Sequence, residues 1–330
     1  MTFPFTGSGR KLHSTAVKML CVRSYNPKLR QTSMRGPVAI QIQTIDRCNA
    51  SCLMCPCSSS VKTASAQSMD DRLYRRILDE IRSAGTVKLL MLMLQNEPLL
   101  DRKFAARVRL ARELLGRSVR IATVTNGTPL TAAAIDELAA SGIDNVSVSI
   151  DAVSEDTFAK VRPGLNFRRV VDNTLSLIGH LGPRRVSVKF LRQRENEGEE
   201  KAFARYWRRR GVRVVYGGLT NRAGSLESFE SIRNRRPDSW KKLVLPVLNR
   251  LIPSCPLPFT SLNVLSDGRA ITCCHDWGPR DLVGDLSRQT LSEVWRGEKL
   301  NHCRYLLRTN RAAESPVCAG CSLSGHFWRE

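Results

Sequence analysis

Aromatic residues are scarce, at 6% of 330 positions. Surfaces that stack bases need such rings, so the composition argues against nucleic acid as the main partner. Acidic residues are also few beside basic ones: 30 Asp and Glu against 52 Lys and Arg, a formal net charge of +22. That balance suits an anionic substrate or a polyanion. The arginines are spread along the chain, as at Arg107, Arg109 and Arg112, at Arg184 and Arg185, and from Arg208 to Arg210, which is how solvated faces are built. Long apolar runs are missing: nothing approaches the roughly 18 residues of a membrane span, so no membrane partner is expected. The N-terminal stretch MTFPFTGSGRKLHSTAVKMLCVRSYNPKLR lacks the uninterrupted apolar core and cleavage site of a secretory signal.

Cysteine, by contrast, is plentiful. Eleven thiols in a chain without an export signal point to metal binding or catalysis in a reducing cytoplasm rather than to disulfides. Hydrophobic content of 42% and charged content of 25% are those of a globular protein with a sizeable core.

From residue 37 onward, strand-like and helix-like periods alternate. Strands are expected at 38–42, 87–94, 119–124, 146–150, 186–191 and 212–216, and helices at 70–84, 102–115, 131–141, 167–180 and 199–210. Thr131 reads as an N-cap, while Gly85 and Gly142 read as helix stops. Such alternation predicts an α/β fold with parallel strands and right-handed crossovers. Six units fit either a partial barrel or an open sheet, and in both the ligands gather at the C-terminal ends of the strands. The pattern breaks after Tyr216. A helix is expected at 239–251, and from Cys255 the composition shifts to cysteine, glycine and proline. The expected division is a basic N-terminal extension (1–36), a core (37–235) and a small cysteine-rich domain (236–330).

Two cysteine groups carry the chemistry. Cys48, Cys52 and Cys55 follow the first strand with the spacing C-x3-C-x2-C. Thiolates are soft ligands suited to iron–sulfur clusters, zinc or Cu(I). Three of them on one short loop leave a four-iron cluster one open iron, whereas zinc needs a remote fourth ligand. In the second group, Cys255 is followed after twelve residues by Gly268 and after four more by Cys273, and Cys318-x2-Cys321 completes four thiols. Four can close a cluster or a structural zinc site. Cys274 adjoins Cys273 and is an alternative ligand. Cys57, Cys274 and Cys303 remain as possible thiol hydrogen donors, while Cys21 has no expected role.

The first motif resembles that of radical S-adenosylmethionine (SAM) enzymes. The resemblance implies a 4Fe–4S cluster on Cys48, Cys52 and Cys55, with the amino and carboxylate groups of SAM on the open iron. In that family, reduction then cleaves SAM to a 5′-deoxyadenosyl radical. Met54 stands where the family often has an aromatic residue, and its thioether can pack against the adenine. Gln95-Asn96-Glu97-Pro98 is similar to the family's Gly-Gly-Glu-Pro segment without its glycines. Thr125-Asn126-Gly127 and Ser149-Ile150-Asp151 match segments that line the SAM site, and Arg162-Pro163-Gly164 one common in members with a C-terminal cluster domain. Met54, Gln95, Asn96, Glu97, Asn126, Ser149 and Asp151 are therefore the expected cofactor contacts.

The second group resembles the SPASM and shorter "twitch" domains of the same family. The resemblance implies one auxiliary 4Fe–4S cluster on Cys255, Cys273, Cys318 and Cys321, and a partial (β/α)6 TIM-type barrel with a small C-terminal iron–sulfur domain. It further implies a radical SAM oxidoreductase acting on a small molecule and fed by a one-electron reductant such as flavodoxin or ferredoxin. Twitch-type dehydrogenases of aminocyclitols are the nearest pattern, which makes the expected reaction sugar or aminocyclitol dehydrogenation in natural-product assembly. Sugar epimerisation and peptide maturation are the alternatives within the family, and a zinc-containing nucleic-acid-binding protein is the alternative outside it. Arg162, Lys189, Tyr216 and His275 are candidate polar contacts to substrate. Basic groups there suit a phosphorylated substrate better than a polycationic one.

Overall fold

The computed structural model describes residues 35–58, 67–234 and 255–323. Most of the expected N-terminal extension, with Cys21, and the helix expected at 239–251 lie outside the described residues. Among the described residues, no helix is long and apolar enough to cross a membrane.

Among the described residues, nine strands form one sheet. They are β1 (Ala39–Ile42), β2 (Leu89–Met91), β3 (Arg120–Thr125), β4 (Asn145–Ser149), β5 (Val186–Arg192), β6 (Arg213–Gly218), β7 (Ser261–Val264), β8 (Arg269–Ile271) and β9 (Leu282–Asp285). Their spatial order is β6-β5-β4-β3-β2-β1-β7-β8-β9. β1 to β6 are parallel and laid down in sequence order. An open doubly wound sheet reverses its order at a switch point; this one does not, so right-handed crossovers put every connecting helix on the same face. β7 pairs with β1 in parallel, and β8 and β9 then return antiparallel. The cysteine-rich C-terminal segment therefore extends the sheet of the core, a connection that the change in composition at Cys255 did not reveal.

The register divides the strands cleanly into two faces. On the outer face, Ile40 pairs with Leu90 and Leu262, Leu90 with Ile121, and Val148 with Val188, which pairs with Val214. All of these are buried in the main core. Each fully buried aliphatic side chain of this kind contributes on the order of 1.5–3 kcal/mol. On the inner face, Asn263 pairs with Gln41, Gln41 with Met91 and Ala122 with Asn145; Ser147 pairs with Ser187, and Ser149 with Lys189. The inner face is thus lined by small or polar side chains that cannot close on themselves as a core.

The helices are amphipathic in the matching sense. In α1 (Asp71–Ala84), Tyr74, Ile77, Leu78 and Ile81 form the buried stripe. Asp70 caps its N-terminus by accepting from the backbone N–H of Arg72 and Leu73, and Gly85 ends it with φ 64°. α2 (Phe104–Leu115), α3 (Ala132–Ala140), α5 (Phe167–Leu181) and α6 (Glu200–Arg208) match the expected helices within a few residues. α4 (Glu155–Val161), capped by Ser154, was not foreseen, because seven residues carry too little periodicity to read. β2 is only three residues long where an eight-residue strand was expected, because the chain leaves the sheet after Met91 toward the Gln95–Pro98 loop.

Gly268 occupies the turn between β7 and β8 with φ +93°. A Cβ there would stand 3.0 Å from Leu73 Cδ2 and 3.3 Å from the Ser287 nitrogen. The glycine of the second cysteine motif is therefore required by backbone conformation and by packing against α1. Gly268→Ala is expected to destabilise the chain by about 1–2 kcal/mol, the cost of a left-handed alanine, visible as a lower midpoint in thermal or urea unfolding. An unchanged midpoint would contradict this account of the turn.

Candidate active site

The three-cysteine loop leaves the C-terminal end of β1 and is tied down from several sides. The Glu97 N–H donates to the Arg47 carbonyl at 2.8 Å and the Leu53 N–H to the Val161 carbonyl at 3.1 Å. Asn126 Nδ2 donates to Asn49 Oδ1 and Asn49 Nδ2 to Thr128 Oγ1, both at 2.8 Å. These bonds lock the loop to the end of β3. Arg162 donates from Nη1 to Cys52 Sγ at 3.3 Å and from Nη2 and Nε to Asp151 Oδ2, at 2.6 and 3.1 Å, in a buried ion pair. Asp151 holds a left-handed backbone, φ 65°, and its other carboxylate oxygen accepts from the Leu191 N–H at 2.6 Å. One chain of contacts thus runs from β5 through the end of β4 to a cysteine sulfur. Cys57 is drawn into the same loop, where its thiol is hydrogen-bonded to Cys48 and Cys55. Burial pushes the Cys52 thiol up to about 11 against the pull of Arg162, while the bond to Cys57 brings Cys55 down to about 6.

The other expected cofactor contacts fall at strand ends, as read, but several spend their side chains on the protein. Glu97 is buried and accepts from Thr125 Oγ1 and the Asn126 N–H, both at 2.7 Å, and from the Leu99 N–H at 3.2 Å. Gln95 Nε2 donates to the Asp276 carbonyl at 2.8 Å, bridging to the C-terminal segment. Asn96 Oδ1 accepts from the Leu94 N–H at 3.0 Å, leaving its buried Nδ2 without a partner among the described residues. Asn126 Oδ1 accepts from Thr128, and the Asp151 carboxylate is engaged by Arg162. Ser149 faces inward beside Lys189. Met54 belongs to an apolar cluster with Cys52, Val161, Leu226 and Ile232.

The second group draws together more thiols than its motif suggests. Cys255, Cys273, Cys318 and Cys321 are all buried. The N–H of His275 donates to Cys273 Sγ and that of Leu323 to Cys321 Sγ, each at 3.4 Å, a pattern suited to thiolate sulfur. Cys273 packs with Cys321 and Val317, and Cys255 with Cys318. Cys303 joins the latter pair and hydrogen-bonds Cys318. Cys274 hydrogen-bonds the neighbouring Cys273, packs against the same cluster, and also meets Gln41 of the inner face and feels Arg222. Of the three possible thiol donors, Cys57 and Cys303 sit within the two cysteine groups and Cys274 sits against the inner face. Among the described residues, no three His, Cys, Asp or Glu side chains converge on one ion-sized position.

Between the two groups lie Lys189, Arg222 and His275. Lys189 is held below the ordinary lysine range by burial, with Asp151, Arg222 and Arg162 acting on it. His275 is brought down to about 3 by burial and by Arg222. Tyr216 is on the opposite face: its ring packs against Phe190, with the Arg192 guanidinium stacked 4.8 Å from its centre. It is therefore removed from the candidate contacts. Sequence reasoning missed Asn49, Thr128, Gln41 and Arg222. Polar residues in loops carry no period, and only the folded register brings Gln41 to Cys274.

Comparison with known proteins settles the family. The model described as the radical SAM superfamily matches residues 42–218. The chain belongs to the radical SAM superfamily. A second model, SPASM, described as an iron–sulfur cluster-binding domain, matches residues 255–322. The chain is 22% identical to the S-adenosyl-L-methionine-dependent 2-deoxy-scyllo-inosamine dehydrogenase of Niallia circulans, over 86% of this chain and 92% of the relative. It is 29% identical to the AdoMet-dependent heme synthase of Methanosarcina barkeri over 35% of this chain and 31% of that one. Among solved structures, BtrN in complex with AdoMet and 2-DOIA superposes with TM-score 0.57 at 22% identity, covering 86% of this chain and 92% of that one. SuiB of Streptococcus suis bound to precursor peptide SuiA reaches 0.63 at 13% identity, covering 97% and 78%. These likenesses confirm the fold.

A radical SAM enzyme with a SPASM-type domain uses SAM and 4Fe–4S clusters as its cofactors. The residues present fit them: two separate groups of buried or half-buried thiols, with N–H or guanidinium donors on Cys52, Cys273 and Cys321. Glu97 provides a pH test of the scaffold around them. Burial raises its folded-state pKa to about 7, above the unfolded value of about 4.3. Its contribution to stability is then fully present below the unfolded value and is lost as pH rises through about 7. The unfolding free energy of the wild type relative to Glu97→Gln should fall between pH 5 and 8 in urea titrations. A pH-independent difference would show that the hydrogen bonds from Thr125, Asn126 and Leu99 keep Glu97 ionised throughout.

Proposed function

We propose that this radical SAM enzyme is an oxidoreductase that dehydrogenates a small-molecule carbon of the sugar or cyclitol class. The observation that carries the reading is the placement of two cysteine groups on one sheet, with the polar inner face between them. β1 leads into Cys48, Cys52 and Cys55, and β7, which follows Cys255, pairs directly with β1. When bound, SAM and its cluster supply a hydrogen-abstracting radical after one-electron reduction, and the auxiliary cluster supplies an electron acceptor.

The chain's own residues divide the remaining work. Cys48, Cys52 and Cys55 would hold the SAM-binding cluster, and Arg162, fixed by Asp151, neutralises and orients the Cys52 sulfur. Cys255, Cys273, Cys318 and Cys321 would hold the auxiliary cluster. Asn49, Asn126, Thr128 and Glu97 keep the loops around SAM in one arrangement, so that less ordering is left to binding. Lys189, Arg222 and His275 face the inner space where a substrate carbon must lie. An external reductant such as flavodoxin or ferredoxin would supply the electron. The likeness to the 2-deoxy-scyllo-inosamine dehydrogenase, spanning nearly the whole of that relative, supports oxidation of a secondary alcohol.

A second reading, epimerisation, is favoured by one observation: besides its bond to Cys273, the Cys274 thiol meets Gln41 of the inner face. A thiol so placed can return a hydrogen atom to a carbon radical.

After anaerobic reconstitution, the protein should contain roughly eight irons per chain, falling to roughly four when Cys255, Cys273, Cys318 and Cys321 are replaced by Ala. Reduction with dithionite in the presence of SAM should release 5′-deoxyadenosine, and triple replacement of Cys48, Cys52 and Cys55 should abolish it. A colourless protein carrying stoichiometric zinc would overturn the reading. With a turned-over substrate, deuterium from solvent at an otherwise unchanged carbon would select epimerisation over dehydrogenation.

A further inference from the structure

The charge balance of the inner space is one-sided. Lys189 enters it from β5 beside Ser149. Arg222 enters from the loop after β6, and that loop is built to hold it. Arg222 and Ala223 both have left-handed backbones, φ 51° and 54°. Asn221, the preceding residue, donates from Nδ2 to the Gly320 carbonyl at 2.6 Å and accepts on Oδ1 from the Ser322 N–H at 2.9 Å. Arg280 anchors the following residue by donating to the Ala223 carbonyl at 2.6 Å. Two consecutive non-glycine residues in this conformation cost on the order of 1–3 kcal/mol each and persist only where the surroundings enforce them. The result carries the guanidinium to a point where it acts on Cys55, Lys189, Cys274 and His275 together.

Among the described residues, no carboxylate is left over to balance these cations. Among the described residues, neither Lys189 nor Arg222 makes an ion pair, and Arg222 Nε is buried without a partner. Asp151 is engaged by Arg162 and the Leu191 N–H, and Glu97 by Thr125, Asn126 and Leu99. Asp276 accepts from Arg280 and from the Asp281 N–H. His275, only 8% exposed, has Nδ1 without a partner. Two cations and an unpartnered imidazole nitrogen on the polar inner side form a site for a ligand anion, and an amine would find nothing there to pair with.

We infer that the substrate carries an anionic group, a phosphate ester or a carboxylate, seated on Lys189 and Arg222 with His275 at its side. The inference rests on the radical SAM reading of the site and specifies its substrate class. It separates this chain from a relative whose named substrate is an inosamine. SAM carries a carboxylate of its own and is the competing occupant. Arg222 and His275, however, belong to loops fastened to the second cysteine group, through Asn221 to Gly320 and Ser322 and through the His275 N–H to Cys273.

The test is calorimetric titration of the reconstituted, SAM-loaded protein with inorganic phosphate and, separately, with methylammonium. Phosphate should bind at one site, and methylammonium should not. Arg222→Gln and Lys189→Gln should each weaken phosphate roughly tenfold or more, the loss of one charge-assisted hydrogen bond, and Lys189→Arg should restore most of it. The affinity for SAM, titrated on the reconstituted protein without phosphate, should stay within about twofold of wild type in all three variants. Phosphate binding untouched by the substitutions, or saturable methylammonium binding, overturns the proposal. Loss of SAM affinity in place of phosphate affinity assigns the cations to the SAM carboxylate and also overturns it. Iron content and circular dichroism of each variant separate these outcomes from misfolding. Release of 5′-deoxyadenosine by the wild type with dithionite reports on the underlying radical SAM reading independently.

Discussion

The structure depends on six parallel strands that bury apolar side chains on one face only. Ile40, Leu90, Ile121, Val148, Val188 and Val214 are withdrawn into contact with the helices, and the alternation of a strand then commits their neighbours to the other side. Those neighbours are Gln41, Asn145, Ser147, Ser187 and Lys189, which are too polar and mostly too small to fill the space in front of them. A sheet of this kind cannot be completed by packing alone. Orphaned polar atoms such as Ser147 Oγ and both amide atoms of Asn263 mark where that completion is missing. A polar ligand supplies it, and the catalytic loops are hung around that space.

Much of this was legible in the sequence, and the reason is periodicity. Six strand-length segments separated by helical ones led to the parallel core, with boundaries close to those observed for β1, β3 and β5. The cysteine spacings pointed to the family because ligand spacing within one loop is local information. Other features were not legible because they are products of register. That β7 pairs with β1, that Cys274 meets Gln41, and that Tyr216 points outward while Lys189 points inward all depend on pairing across residues distant in sequence. Glu97 illustrates a further limit. Its position at a strand end was anticipated, but its burial among three donors makes it a brace between β2 and β3 and turns the loop's backbone toward any ligand.

The high arginine content is also clearer in three dimensions. Arg107 pairs with Asp101 at 2.9 Å and donates to the Met69 carbonyl. Arg112 reaches Asp144 and the carbonyls of Gly142 and Val119. Arg304 donates to the Pro258 and Trp295 carbonyls and lies over the Trp295 ring. In each case the planar fork ties together carbonyls of loops or helix ends. Part of the excess positive charge therefore comes from arginine used as internal stapling.

The pairing of β7 with β1 has a consequence for how such an enzyme can vary. Residues 219–254 lie between the last strand of the core and Cys255, and the strand pairing that joins the two segments lies outside them. How β7 sits against β1 is fixed by rungs of backbone hydrogen bonds, with Gln41 opposite Asn263 and Ile42 opposite Val264. The sheet acts as a ruler between the two segments. Insertions and deletions within residues 219–254 therefore need not alter the register that holds β7 against β1.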